Sequence, residues 1–295
     1  MSRHVPLKDF RARRKVLTQR DFAITRKRPR KPTDRIDQET WYDLVVLPDD
    51  VAIRTSNHHG ATLRQLDELS QAWIMSTGMY PHRNFIDPVM LDANDDIRAA
   101  IFTALTGYYR FSIGGMRNVL ELLAIGCWAQ VCGERQRFRD WRKGKIAVSL
   151  GQACDGLIGG AAALQTHLKS TVNDSLFDQK TAKSQGGFVR RAFSAISEYS
   201  HSRPGHTDGD FWESNGPIYV PAAFNYVAGI HFETIALSYV LAMLAKPKMR
   251  IPPAISRLFA DDMRVKSRVT RASFDHLNRA RRQRTDFRGQ TEPEL

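Results

Sequence analysis

Residues 95–132 read DDIRAAIFTALTGYYRFSIGGMRNVLELLAIGCWAQVC, and the fold class follows from how this stretch is turned. Placed at 100° per residue, its apolar side chains cover most of a helix circumference, as in a helix with neighbours on several sides. Ile97, Ile101, Leu105, Tyr108, Val119, Leu122 and Leu123 form the broad apolar arc. Arg110, Gly114, Arg117 and Glu121 fall at i, i+4, i+7 and i+11 and make one narrow polar stripe. An Arg and a Glu four apart touch on a helix. If the helix is enclosed, both must be paired and hydrogen-bonded to stay charged, so the stripe is either a structural ion pair or a site. One unbroken helix here would measure about 57 Å. Gly114-Gly115 is the expected place for a bend or a close crossing.

Residues 188–201, FVRRAFSAISEYSH, form the expected partner helix, with Phe188, Val189, Ala192, Phe193, Ile196 and Tyr199 on one face. Pro204 and Gly205 stop it. Residues 222–245 are apolar nearly all round and read as a core helix that opens on Pro221. Thr62 is placed to cap a helix over 63–76 that turns Leu66, Leu69 and Trp73 to one side. Ser149 is placed to cap another. ERQRFRDWRK, residues 134–143, reads as a short helix whose arginines form a solvated face rather than a phosphate site. YDLVVL and VAIRT, flanking Pro48-Asp49-Asp50, predict a small β-hairpin near residues 44–55.

The expected architecture is therefore all-α: a helical bundle with that hairpin and with basic, partly disordered arms at both ends. Residues 1–40 are read as a basic arm or linker, and 41–94 as the hairpin plus a helix packed on the core. Residues 95–262 are the bundle, and 263–295 a basic C-terminal arm.

The formal net charge of +13 is carried by those ends. Residues 1–31 hold 12 Lys/Arg against 2 acids, residues 264–295 hold 9 against 4, and the body holds 23 against 25. Basic arms are an electrostatic footprint for nucleic acid, so Arg11, Arg13, Arg14, Lys15, Arg281 and Arg282 are the expected contacts. Cys127, Cys132 and Cys154 form no CxxC and cannot all pair, which fits a reducing cytoplasm. The first residues lack the apolar core of a secretory signal. Residues 113–131 and 222–245 approach membrane length. They contain Arg117 and Glu121, or His231 and Glu233, so no membrane span is expected.

His201 stands at the end of its helix, where the dipole favours its protonated form. If the two helices pack, it meets the Arg117/Glu121 stripe and supplies an acid or base beside a phosphate-binding cation and an orienting carboxylate. The alternative is a histidine stitched into a structural network. His206, Asp208 and Asp210 resemble a cation loop without the EF-hand repeat, and His231 and Glu233 face opposite sides of their helix, so no metal or cofactor is expected. No GxSxG, Walker or Rossmann pattern is present.

Tyr108-Tyr109-Arg110-Phe111, then Arg117-xxx-Glu121, then Glu198-Tyr199-Ser200-His201, resembles the HEPN-like group of bacterial helical proteins over about residues 95–245. The resemblance implies a helical bundle that dimerises and acts on RNA as a metal-independent endoribonuclease of the toxin or antiphage-defence kind, with an antitoxin or defence-system partner. Other members have lost catalysis and serve in binding or regulation. It implies His201, Arg117 and Glu121 as catalytic residues and Asn118, Tyr199 and Arg110 as support. Arg117-Asn118 begins the family's Arg–polar–His pattern, but Leu122 stands where the histidine falls. The Arg-x4-His matches at Arg54/His59 and Arg271/His276 are of the number expected by chance.

Overall fold

A computed structural model describes residues 36–77, 84–182, 184–200 and 216–289. The chain divides into two units, Met1–Val46 and Leu47–Leu295. The described part of the first is a helical turn, α1 (Gln38–Trp41), followed by a π-helical turn at Tyr42–Val46. Asp37 caps α1 by accepting the Thr40 amide at 2.8 Å.

The second unit is a bundle. Its helices are α2 (Leu47–Ser76), α3 (Ile86–Leu105), α4 (Tyr109–Val131), α5 (Arg135–Arg142), α6 (Leu150–Gly160) and α7 (Ala162–Val172). After them come α8 (Phe188–Ser200), α9 (Pro221–Ala245), α10 (Pro253–Ala260) and α11 (Arg268–Gly289). The centre is α4, on which α3, α5, α6, α8 and α9 all pack. Met116, Val119, Leu120, Leu123 and Ala124 are closed off completely, as the all-round apolar sequence requires.

The expected hairpin does not form: among the described residues there is no strand, and residues 44–55 are helical. Pro48-Asp49-Asp50 serves as a helix start instead. Proline is tolerated in a first turn and the two acids face the positive end of the dipole. Val51 and Thr55 are buried while Ile53 is 55% exposed. A strand would have put all three on one face. The helix expected only from residue 63 therefore begins at Leu47 and carries a kink at His59 (φ −127°, ψ 21°). Leu66, Leu69 and Trp73 are buried as expected.

The central stretch is broken, but before the expected glycine pair. Helix α3 starts at Ile86 rather than near Asp95, and the chain turns at Thr106–Tyr108, where Gly107 has φ +82°. A Cβ there would strike the backbone of Ile218. Gly114 has open space around it, and Gly115 marks the crossing, since its Cβ would lie 2.9 Å from that of Ala100. At this crossing Ser112 Oγ donates to the Ala100 carbonyl at 2.8 Å and accepts from His231 Nε2 of α9 at 2.8 Å.

The basic C-terminal segment also differs from its reading as an arm. Helix α11 packs on α7 and α9, burying Val269, Thr270, Ser273 and Phe274, and Phe274 stacks on Phe259 at 3.7 Å. Its start is held from α9, where Glu233 Oε1 accepts the amides of Lys266 and Ser267. Helix α9 is apolar and long enough to cross a membrane, and 78% of its most apolar window is buried within the bundle.

Candidate nucleic-acid site

Helices α4 and α8 pack together, and their contact carries a side-chain relay. Arg117 donates from Nε to Ser197 Oγ at 3.0 Å and from Nη1 to Glu121 Oε2 at 3.4 Å. Its guanidinium carbon lies 4.5 Å from the centre of the Phe193 ring. Ser197 Oγ in turn donates to the Phe193 carbonyl at 2.7 Å. Three contacts on one guanidinium fix its position, and the Arg117 and Glu121 side chains remain 26% and 31% exposed. The stripe is thus paired, as the sequence requires, and open to solvent.

It lines a groove of about 860 Å³ whose other walls are the start of α6, residues 180–182, 184 and 185, and the polar flank of α8. The lining includes Arg117, Lys180, Arg190 and Arg191 against Glu121 and Glu198. Ser149, Thr181, Ser184, Ser194 and Ser197 add hydroxyls that both donate and accept. Ser149 is fixed by a capping box with Gln152 at the start of α6. Arg190 donates to the Gly151 carbonyl and pairs with Asp155, while its buried Nε has no partner among the described residues. Arg191 bonds the Gly186 carbonyl at 2.7 Å and Asp174 at 2.6 Å. Lys180 is exposed.

The other expected residues fall as follows. Tyr199 is on a different side of α8, accepting from Tyr226 at 2.8 Å. Arg110, two turns before Arg117, and exposed Asn118 do not line the groove. Arg282 is exposed and Arg281 is half-buried against Asn278 at 3.2 Å. His201, His206, Asp208, Asp210 and Arg11, Arg13, Arg14 and Lys15 lie outside the described residues. His231 is enclosed in the α4–α9 contact and Glu233 holds the start of α11, so the two do face apart. Among the described residues no cluster of His, Cys, Asp or Glu is arranged to hold a metal.

Sequence reasoning missed Ser197, Phe193, Lys180 and the Arg190/Arg191 pair as groove residues. A signal was available: Arg190, Ser194, Ser197 and Glu198 recur at i, i+4, i+7 and i+8, a polar stripe on a helix read for its apolar face.

The fold and groove define a helical-bundle protein with an open, cation- and hydroxyl-lined groove on its central helix. No family model matches the chain, and no curated protein or solved structure is significantly similar to it.

Proposed function

We propose that this chain acts on RNA in the groove between α4 and α8, as a HEPN-like, metal-independent endoribonuclease of the toxin or antiphage-defence kind. The observation that supports this reading is the Arg117–Ser197 bond. It joins the central polar stripe to the helix that leads into His201, and does so in an open groove rather than in the core. In the proposed reaction the ribose 2′-oxygen attacks the adjacent phosphorus and the bond to the 5′-oxygen breaks. The products are a 2′,3′-cyclic phosphate and a 5′-hydroxyl. His201 takes the 2′-hydroxyl proton, which ends on the leaving 5′-oxygen, Arg117 steadies the charge on the phosphate, and Glu121 helps orient one of the two.

The test is incubation of the full chain with single-stranded RNA in EDTA, followed by product-end analysis by mass spectrometry. Cyclic-phosphate ends with wild-type protein, reduced at least 100-fold in Arg117→Ala and His201→Ala, support the reading. No cleavage, or equal cleavage by the variants, ends it. Action on RNA inside a cell also entails a cytoplasmic protein, and the family resemblance entails a homodimer and a partner that restrains it. Light scattering giving a monomer mass removes the dimer.

A second reading is a catalytically silent module that binds nucleic acid or a partner protein. It is favoured by the way Arg190 and Arg191 are already engaged by Asp155, Asp174 and backbone carbonyls. It gives RNA binding without any new RNA ends.

A further inference from the structure

We propose that α5 is the surface on which a single RNA strand lies as it enters the groove; this rests on the RNA reading above and supplies a backbone-binding surface for it. Residues 134–145, ERQRFRDWRKGK, carry Arg135, Arg137, Arg139, Arg142, Lys143 and Lys145 against Glu134 and Asp140. All six cations are exposed. Arg142 reaches Asp92 at 3.0 Å and Lys145 reaches Asp140 at 3.8 Å. Arg135 and Arg139 have no carboxylate partner among the described residues. Within a body whose charges nearly cancel, this excess is local.

The helix is built as a platform. Phe138 is buried, with its ring 5.1 Å from Phe85 and 5.6 Å from Trp141, and the Arg137 guanidinium sits 4.9 Å from the Trp128 ring. That side is committed to the body. Arg135, Arg139 and Arg142 recur at i, i+4 and i+7 along one exposed flank of the helix, next to the buried Phe138 and away from Arg137, with Lys143 beside them. Successive cations are thus about one turn apart, roughly 5.4 Å along the axis. A row of permanently charged guanidinium forks at that spacing suits consecutive phosphates of one strand. Because the aromatic side faces inward, the helix keeps no apolar face to enter a bilayer, which favours RNA over an anionic membrane.

The row also leads to the groove. Ser149 follows Lys145 by four positions, a reach of at most about 14 Å, and Ser149 and Gly151 form the groove's edge. A strand held on α5 therefore passes naturally to Arg190 and Arg117.

The test compares wild type with the triple variant Arg135→Gln/Arg139→Gln/Lys143→Gln. The probe is a fluorescein-labelled, mixed-sequence single strand with 2′-O-methyl groups, which offers no 2′-hydroxyl to attack. Binding is followed by anisotropy across a salt series. Loss of three phosphate contacts lowers the slope of log K against log salt by about 2 and weakens binding on the order of 100-fold at about 0.1 M salt. Unchanged circular dichroism and melting show that the fold is intact. Equal affinity and slope in the two proteins overturn the proposal, as does a loss of affinity confined to phosphatidylserine vesicles. If the triple variant binds normally while Arg117→Ala still abolishes cleavage, only α5 has been misassigned. If wild type neither binds the strand nor cleaves RNA, the groove reading falls with it.

Discussion

Arg117 on α4 and Ser197 on α8 are joined Nε to Oγ at 3.0 Å, and Glu121 is the weaker of Arg117's polar partners at 3.4 Å. A half-exposed i,i+4 ion pair contributes well under 1 kcal/mol. The ordering of the guanidinium thus comes mainly from Ser197 and the Phe193 ring. Urea unfolding is expected to show Glu121→Gln within about 0.5 kcal/mol of wild type and Arg117→Ala destabilised by about 1 kcal/mol. A Glu121→Gln cost of several kcal/mol would instead mark the pair as a structural device, and the site reading would lose its basis.

What could be read from the sequence follows from which signals were local. The Arg117/Glu121 pair and the core helix at 221–245 rest on spacing within one helix, and both stand where spacing puts them. Ser197 and Arg190 enter the site only through the packing of α8 on α4 and α6, which no single-helix pattern encodes. The hairpin reading failed because β-branched Val45, Val46 and Val51 on either side of Pro48-Asp49-Asp50 match strands about a turn, while that same tripeptide serves equally as a helix start. In α11 a dense run of arginine hid the stripe Val269, Ser273, Phe274 and Leu277 that docks it.

The glycines separate two kinds of position. Gly107 sits at φ +82° against the Ile218 backbone, so Gly107→Ala adds both left-handed strain and a collision. It is expected to cost about 2 kcal/mol or more. Gly114 lies within α4 with nothing within 4 Å of its missing Cβ. Gly114→Ala is expected to be stabilising by about 0.5–1 kcal/mol. Thermal melts of the two variants side by side check the placement of the α3–α4 break; the opposite order would move it back to the Gly114-Gly115 pair.

Glu233 links α9 to the start of α11 by accepting the Lys266 and Ser267 amides, with the Ser267 bond at 3.0 Å. Glu233→Ala leaves those donors without this acceptor and is expected to cost about 1–2 kcal/mol. Glu233→Gln keeps a carbonyl oxygen in place and should retain most of the stability. Hydrogen exchange reads the effect locally: the first turn of α11 exchanges faster in the alanine variant alone. Uniform exchange in all three proteins would show that α11 is held only by Val269 and Phe274.

His231 gives the bundle an acid sensitivity whose sign can be worked out. Ser112 Oγ gives its proton to the Ala100 carbonyl and so accepts from His231 Nε2, which carries the ring hydrogen. Nδ1 is left bare and buried, without a partner among the described residues. Burial drives the ring's pKa down to about 3 from 6.5. Between those values the unfolded chain binds a proton that the folded one refuses. The histidine's contribution is therefore complete above about pH 6.5 and is lost as pH falls toward 3, by up to about 1.4 kcal/mol per unit. His231→Leu removes this term while Ser112 keeps its bond to Ala100. Urea midpoints should then place the variant below wild type at pH 7, with the gap closing steadily by pH 4. A gap constant with pH would mean that the ring takes up its proton in the fold as readily as in the unfolded chain.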